Sequence, residues 1–432
     1  MGSIGIRAVD LEARRQESQP QLESVDHHPR RVPPEVDLPG GSARPHRHGG
    51  APQDRSSAVS TPRLPRLRLP VLGPLVRATL LYDFASPDLD ASEIDWDAEL
   101  QVLGDQRLAA VAERMLRDLR IQPPEHVRRD LQDEVFAWSQ TSCLASGRAT
   151  ADLQVLGEAG IGFVVIKGPG IASLARRLPE RPYSDVDILV AAEQFGHVQR
   201  LLARSGYLEE TKNLVPRPSL GDLCREAVNL RNPDGGSIDV HHRVPPWLWG
   251  SHLTFADVLF RSTVQPVPGG GSLPCASPAD NLLVSALHVV SAKNRPGETL
   301  MAWRDVLVCA RASDPADVLD RAERSRLTGY LAWVLGALPT ETLPHGLLEG
   351  LGGGDPGVPH AGRLRMVIPP GIASRRMVLS QMCRLPAWNA ARYAAGIAWP
   401  SSGFLEAKMG GIAHPRIRWL RSLAGGEDNR SV

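Results

Sequence analysis

The pattern of hydrophobic and polar residues predicts β-structure in the middle of the chain. Residues Ile161–Ile166 form a short apolar run of strand length that is rich in β-branched side chains. The segment Asp185–Val190 is also predicted to be a strand, and because successive strand side chains point to opposite faces, Asp185 and Asp187 share one face. Residues 226–243 predict a hairpin, because an Asn-Pro-Asp-Gly turn separates two runs of β-prone residues.

Helical periodicity predicts helices on both sides of this region. Apolar residues recur at spacings of three and four before the first strand and after the hairpin. The predicted helices include Arg107–Leu116, Glu125–Gly157, Glu193–Arg204, Pro278–Ser291, Met301–Ala312, Arg376–Ala398 with a break at Pro386, and Arg416–Leu423. Residues 266–277 and 339–375 are interpreted as loops. His288 and Trp303 are interpreted as core residues of the later helices rather than as the border of an acceptor pocket.

Composition and length indicate a protein of two or three domains. The 432 residues are 42% hydrophobic and 22% charged, which is ordinary for a folded chain. Residues 1–70 differ, because they hold ten prolines, eleven arginines and no lysine, with little periodic apolar pattern. Such a segment buries too little surface to offset the entropy of ordering it, so a disordered tail is expected there.

The charge balance and the cysteines exclude some classes of function. With 49 basic and 48 acidic residues, extended nucleic-acid binding is not expected, although a small nucleotide bound through a metal is compatible with this balance. The five cysteines are scattered without a C-x-x-C pair, which favours reduced thiols in a cytoplasmic protein. The segment that opens the sequence has no apolar core of signal-peptide length, and no apolar run is long enough to span a membrane, so neither a signal peptide nor a membrane span is expected.

Carboxylates on the predicted strands indicate a metal site. Asp185 and Asp187, side by side on a stiff strand, repel each other unless a cation lies between them. Asp239 falls between Ile238 and Val240 in the second arm of the hairpin, so it also faces away from the apolar side. Mg²⁺ takes few protein carboxylates and keeps coordination sites for phosphate oxygens. Three carboxylates on neighbouring strands can hold two such ions, which stabilise the attacking and leaving oxygens of a displacement at phosphorus.

The turn after the first strand is a candidate phosphate-binding turn. Lys167 supplies a positive charge, and Gly168 allows the backbone to approach a ligand. The segment Pro169–Leu178 is predicted to be a helix whose N-terminus points at the same place, where exposed amides attract phosphate. These features predict contacts between Lys167, Gly168 and a triphosphate.

Two further residues are candidates for the site. Arg181 precedes Asp185 by four positions, and two interpretations stay open: a contact to phosphate or acceptor, or an ion pair that orients the carboxylates. His241 lies on the same predicted face as Asp239 and is a candidate contact to the acceptor.

Together these motifs resemble those of the bacterial uncharacterised nucleotidyltransferase family, which belongs to the DNA polymerase β-type nucleotidyltransferase superfamily. The resemblance rests on Lys167-Gly168, on Arg181-x-x-x-Asp185-Val-Asp187, and on Ile-Asp239-Val-His241. The wider superfamily usually has Gly-Ser or Gly-Gly in the turn, whereas Lys-Gly is the form of the narrower family. The helix-rich flanks, from about Trp96 to Trp419, also resemble the layout of the family.

The resemblance implies both a fold and a domain organisation. The fold is α+β, with a small mixed β-sheet of the nucleotidyltransferase type, flanking helices, and helical regions at both ends. The expected segments are a tail (1–70), an N-terminal helical region (71–157), a catalytic core (158–246) and a C-terminal helical region (247–432).

The implied activity is transfer of an NMP from an NTP such as ATP to an acceptor hydroxyl, with release of pyrophosphate. Asp185, Asp187 and Asp239 are implied to be catalytic and to bind two ions of Mg²⁺ or Mn²⁺. The resemblance leaves the acceptor open as a small molecule, a peptide or protein, or RNA. Two alternatives remain: an inactive nucleotide- or partner-binding module, and a toxin-like enzyme that modifies tRNA.

Overall fold

The structure is a computed structural model of the chain. It describes residues 72–87, 89–175, 178–210, 226–244, 252–267, 269–291, 300–352, 387–409, 414–417 and 420. Every described residue belongs to the unit Pro62–Val432. The predicted tail, the predicted break at Pro386 and most of the predicted last helix lie outside the described residues.

The helices precede, connect and follow the strands. In chain order they are α1 (Pro74–Leu81), α2 (Trp96–Asp105), α3 (Ala109–Asp118), α4 (Glu125–Glu158), α5 (Gly168–Ala172), α6 (Phe195–Arg204), α7 (Phe255–Phe260), α8 (Pro278–Ser291), α9 (Leu300–Ala312), α10 (Pro315–Arg324), α11 (Thr328–Leu335), α12 (Leu347–Gly350), α13 (Ala387–Ala398) and α14 (Ser402–Met409). None of the helices in these described ranges has the length and apolar character needed to cross a membrane.

The strands form one mixed sheet of seven strands. They are β1 (Phe163–Ile166), β2 (Val186–Val190), β3 (Leu208–Glu209), β4 (Ala227–Arg231), β5 (Ser237–His241), β6 (Thr263–Pro266) and β7 (Ser272–Cys275). Their order across the sheet is β3-β4-β5-β2-β1-β7-β6. Strand β2 pairs antiparallel with β1 and parallel with β5, so the two strands that carry the predicted carboxylates are direct neighbours.

Alternation along the central strands divides the core between the two faces of the sheet. Val165 and Ile188 belong to a buried cluster that includes residues of α4 and α6. Ile166 and Leu189 belong to a second cluster, which includes residues of α8 and α9. Because side chains two positions apart point to the same face, Asp187 shares the face of Leu189. The predicted catalytic carboxylate therefore lies on the side of the sheet that α8 and α9 cover.

Most of the predicted elements are confirmed. The α+β class, the long helix before the sheet and the hairpin after it are all present, as α4 and the antiparallel pair β4–β5. The interpretation of residues 266–277 as a loop is wrong, because β7 forms there and pairs parallel with β1. This strand is only four residues long, and its partner is more than a hundred positions away. Its local pattern is therefore too short to reveal it.

Close packing of the turn between β6 and β7 against α4 makes Gly269 a sensitive position. Gly269 and Gly270 both have positive φ, at 84° and 100°, so alanine is strained at either position by about 1 kcal/mol. A Cβ on Gly269 would lie 2.3 Å from the carbonyl oxygen of Cys143 in α4, whereas a Cβ on Gly270 would meet nothing within 4 Å.

Gly269→Ala is therefore expected to lower the free energy of unfolding by at least about 2 kcal/mol, and Gly270→Ala by about 1 kcal/mol. Urea denaturation followed by circular dichroism measures both. Equal losses in the two variants would show that the turn is not held against α4.

Candidate active site

The sheet register brings two of the predicted carboxylates together. Asp187 on β2 lies directly opposite Asp239 on β5, and Asp239 lies opposite Asn229 on β4. One potential ligand atom from each of Asp187, Asp239 and His241 lies within 4.8 Å of the other two. Asp185, one residue before β2, is outside this group of atoms. Among the described residues, the structure thus assembles two of the three predicted carboxylates and adds an imidazole.

Asp187 is the carboxylate of the site that contacts both His241 and Lys167. It is 9% exposed, and its Oδ1 lies 2.8 Å from His241 Nε2 and 3.3 Å from Lys167 Nζ. Burial acts to raise the pKa of Asp187, but the charge of Lys167 and the hydrogen bond from His241 outweigh burial and hold this pKa well below its usual range. Asp187 is therefore ionised at any physiological pH.

Asp239 has the opposite electrostatic character. Burial, together with the negative charges of Asp187 and Asp185, raises the pKa of Asp239 to about 6, although a hydrogen bond from Asn229 acts to lower it. Its Oδ1 is buried and has no hydrogen-bond partner within the described part of the chain. A cation placed against this oxygen would reduce the repulsion between Asp239 and the other two carboxylates, and it would give the oxygen a partner.

Asp185 lies at the edge of the group. It is half-buried, and burial and the charge of Asp187 raise its pKa, while Lys167 and Arg107 oppose this rise. The loop before Asp185 is anchored by Tyr183, whose backbone N–H donates to Ser142 Oγ of α4 at 3.0 Å and whose hydroxyl shares a short hydrogen bond with Ser146. Helix α4 thereby fixes the chain two residues before the first carboxylate.

A buried asparagine of α8 holds the predicted phosphate-binding turn. The backbone N–H of Lys167 donates to Asn281 Oδ1 at 2.9 Å, and Asn281 Nδ2 donates to the carbonyl of Ala276 at 3.0 Å. Lys167 has a φ of 55° and Gly168 a φ of 27°, so the backbone turns sharply directly after β1. The helix that follows, α5, is five residues long and thus shorter than predicted. Phosphate contact by Lys167 and Gly168 stays a prediction.

Arg181 forms a two-point ion pair with a residue of the C-terminal helices. Its Nε and Nη2 lie 2.6 and 2.8 Å from the two carboxylate oxygens of Asp305 on α9, and its Nη1 donates to the carbonyl of Pro182. Burial acts to lower the pKa of Arg181, but Asp305 foremost, with Asp187 and Asp185, raises it. The donors of the guanidinium are thus directed at Asp305 and Pro182, and its charge interacts with Asp187 and Asp185. Whether Arg181 also contacts phosphate stays a prediction.

The pairing of Arg181 with Asp305 has a direct consequence for stability. Both side chains are largely buried, with 13% and 5% exposure. Removing one partner of such a pair leaves the other charge without compensation, at a cost of about 3 kcal/mol. Asp305→Asn is therefore expected to lower the free energy of unfolding by about this amount in urea denaturation.

The exposed pair of Arg324 and Asp320 provides a matched control, since its side chains are 78% and 51% exposed. Asp320→Asn is expected to change the free energy of unfolding by less than about 0.5 kcal/mol. A small effect of Asp305→Asn, similar to that of the control, would contradict the view that this pair anchors the loop to α9.

The two aromatic residues interpreted as core have different surroundings. Trp303 is 6% exposed and belongs to the buried cluster, as expected. The interpretation of His288 is wrong, because its side chain is exposed on α8.

The donor set fits a divalent cation. Two carboxylates and an imidazole converge, the Oδ1 of Asp239 lacks a partner in the described chain, and the ammonium of Lys167 lies beside Asp187 as a cation would. Carboxylate oxygens suit Mg²⁺ and Mn²⁺, and each such ion also leaves positions for substrate oxygens.

Comparison with known proteins identifies the family. The family model described as "Uncharacterised nucleotidyltransferase" matches residues 92–339, which is more than half of the chain. The chain belongs to this nucleotidyltransferase family. The match includes every predicted site residue, so the resemblance inferred from the motifs is confirmed, and so is the assignment of the chain as a transferase. No curated protein matches.

Solved structures similar to this nucleotidyltransferase include an antibiotic-resistance factor and an antibiotic adenylyltransferase. The antibiotic-resistance factor ANT(2'')-Ia is 13% identical, with a TM-score of 0.30, over 44% of this chain and 92% of that chain. The lincosamide antibiotic adenylyltransferase LnuA, bound to lincomycin, is 17% identical, with a TM-score of 0.24, over 37% and 93%. An antigenic nucleotidyltransferase-like protein from Paracoccidioides brasiliensis is 14% identical, with a TM-score of 0.31, over 50% and 91%.

Several residues that support the site were not found from the sequence. Asn281 of α8 contacts Lys167, and Asp305 of α9 contacts Arg181. Each of the two helical residues lies more than a hundred positions from its partner in the sequence. No local pattern links them to their partners. Asn229 is different, because the hairpin turn already implies that it lies opposite Asp239.

Proposed function

We propose that the protein is a Mg²⁺-dependent nucleotidyltransferase that transfers an NMP from an NTP to an acceptor hydroxyl and releases pyrophosphate. The observation that carries the proposal is the pairing of Asp187 with Asp239 across neighbouring strands, with Lys167 beside them. The same arrangement occurs within the segment that matches the family. Two divalent ions, Mg²⁺ or Mn²⁺, are part of the proposal, as is a nucleotide substrate such as ATP.

The three carboxylates have distinct roles in this proposal. Asp185 and Asp187 would hold ions on the triphosphate side, and Asp239 would hold an ion on the acceptor side. When bound, the ions supply positive charge to the oxygens of the transferring phosphoryl group. The low pKa of Asp187 keeps it available as an anionic ligand throughout the physiological range.

The remaining residues bind and orient the substrates. Lys167 and the backbone at Gly168 contact the phosphates, with Asn281 holding the turn in place. Arg181 adds positive charge on the same side. Asp239, the carboxylate proposed for the acceptor side, would also help to deprotonate the acceptor hydroxyl. The described cysteines Cys143, Cys275 and Cys309 are free thiols, which supports a reducing cytoplasm as the setting.

Labelled nucleotides test this proposal directly. The protein is incubated with each NTP labelled at the α- or the γ-phosphorus, with Mg²⁺ or Mn²⁺ and a cell extract as the source of acceptor. Nucleotidyl transfer moves the α-label to an acceptor and leaves the γ-label in pyrophosphate. Asp185→Asn serves as the inactive control, and its fold is expected to stay nearly intact.

The outcome distinguishes the alternatives. Transfer of the γ-label would indicate phosphotransfer and contradict the proposal. Binding of an NTP without transfer of either label, in wild type and control alike, would indicate a non-catalytic binding module. The labelled product identifies the acceptor, and label in tRNA would indicate the tRNA-modifying form of the same chemistry.

A further inference from the structure

We propose that His241 is a metal ligand of the centre, together with Asp187 and Asp239, and that its imidazole makes the centre prefer Mn²⁺ to Mg²⁺. This inference rests on the proposed function and specifies the ion used by the same site. It assigns to His241 a role other than contact with the acceptor.

The distances agree with three ligands of one ion. His241 Nε2 and Asp187 Oδ1 are 2.8 Å apart, and a donor atom of Asp239 lies within 4.8 Å of both residues' donor atoms. In an octahedral ion with bonds of about 2.1 Å, neighbouring ligand atoms are about 3 Å apart and opposite ones about 4.2 Å. Small shifts of the side chains therefore suffice to place the three atoms around a shared ion.

The imidazole of His241 can coordinate an ion once the ion replaces its hydrogen bond to Asp187. His241 is 5% exposed, and its Nδ1 has no partner in the part of the chain that the structure describes. The contact with the ionised Asp187 places the proton on Nε2 when no ion is bound, because a carboxylate only accepts hydrogen bonds. With the proton on Nδ1, the lone pair of Nε2 is available to an ion that replaces the hydrogen bond to Asp187.

The charge and the chemistry of the three ligands determine which divalent ion the centre prefers. Two carboxylates balance the charge of a divalent cation, and the neutral imidazole adds a donor without adding charge. Imidazole binds transition metals well, whereas Mg²⁺ strongly prefers oxygen. Carboxylates also suit Mn²⁺, so a set of two carboxylates and one imidazole favours Mn²⁺ over Mg²⁺.

The adjacent histidine provides a matched control. His242 follows His241 directly and points to the opposite face of β5, where its ring lies 4.4 Å from the ring of Phe195. It is buried to a similar extent, at 6% exposure. A substitution at His242 perturbs the same strand without touching the proposed ligand.

The test uses the full chain, freed of metal by a chelator and then loaded with Mn²⁺. Pulsed electron paramagnetic resonance detects a nitrogen bound directly to Mn²⁺, and titrations give the Kd of Mn²⁺ and of Mg²⁺. The variants are His241→Gln, whose amide can keep the hydrogen bond to Asp187 but is a poor ligand, and His242→Gln.

We expect the nitrogen signal in wild type and His242→Gln, and its loss in His241→Gln. His241→Gln is expected to raise the Kd of Mn²⁺ by about tenfold or more and that of Mg²⁺ by less than about threefold. The wild-type spectrum decides the matter even if the variant does not fold.

Failure of this inference is distinguishable from failure of the proposed function. Bound Mn²⁺ without a coordinated nitrogen in wild type would overturn the inference and leave His241 as a residue that orients Asp187. Transfer of the α-label would stand independently of that result. A nitrogen signal without transfer of any label would support the ligand and overturn the proposed function. Absence of Mn²⁺ binding would overturn the inference outright.

Discussion

Replacing Asp187 by asparagine is expected to reduce nucleotidyl transfer by at least about a thousand-fold. Asp187 is the carboxylate that lies opposite Asp239 and also contacts Lys167 and His241, so its loss affects the proposed ion, the lysine and the imidazole together. An amide carries no negative charge and is a weak ligand for a divalent ion. Transfer of the α-label from an NTP, measured at saturating metal, gives the rate of each variant.

Asp234→Asn is the matched control for this experiment. Asp234 lies in the turn that joins β4 to β5, its side chain is 75% exposed, and it pairs with Arg148 at 3.6 Å. This substitution removes the same charge from the turn of the neighbouring β4–β5 hairpin and leaves the residues of the site unchanged, so wild-type activity is expected. Retention of more than a tenth of the wild-type rate in Asp187→Asn would exclude Asp187 as an essential ligand.

The local part of the site was predictable from the sequence. Alternation in the segment Asp185–Val190 determines which side chains share a face, and the hairpin turn determines that Asp239 faces away from the apolar side. The same turn implies that Asn229 lies opposite Asp239. These features depend on neighbours in sequence or on a short turn, so the pattern of residue types is sufficient to reveal them.

The supporting contacts depend on long-range packing and could not be predicted in the same way. Lys167 and Asn281 are separated by 114 positions, and Arg181 and Asp305 by 124. Nothing in the local sequence of α8 or α9 distinguishes Asn281 and Asp305 from other polar residues of a helix. Their roles appear only when the helices pack on the sheet and each buried polar group needs a partner.

The grouping of His241 with the carboxylates was predictable from the sequence only in part. Alternation along β5 places His241 on the face of Asp239, which the sequence indicates. That its ring turns toward Asp187 on the neighbouring strand depends on the parallel pairing of β2 with β5. The order of the strands was not available from the sequence, and the choice between an acceptor contact and a metal ligand depends on it.

Asp239→Asn is expected to stabilise the metal-free protein, whereas Asp187→Asn is expected to destabilise it. The pKa of Asp239 is raised to about 6 from its ordinary value of 3.8 by burial and by the charges of Asp187 and Asp185, so its ionised form opposes folding at neutral pH. This shift corresponds to an increase of about 1–3 kcal/mol in the free energy of unfolding when the charge is removed. The pKa of Asp187 is lowered instead, because Lys167 and His241 stabilise its ionised form. Asp187→Asn is therefore expected to decrease the free energy of unfolding by about 1–3 kcal/mol.

Urea denaturation with a chelator at pH 7.5 and at pH 4 measures these differences. The folded pKa of Asp239 exceeds the unfolded one, so wild type gains stability from this group as the pH falls through about 6, and the advantage of Asp239→Asn is expected to vanish near pH 4. At pH 7.5 a divalent ion is expected to stabilise wild type and to remove the advantage of Asp239→Asn, since the ion neutralises the same repulsion. A loss of stability in Asp239→Asn at pH 7.5 without metal would contradict this view. A gain from that single substitution, together with loss of activity, would indicate that this carboxylate is retained for chemistry at a cost in stability.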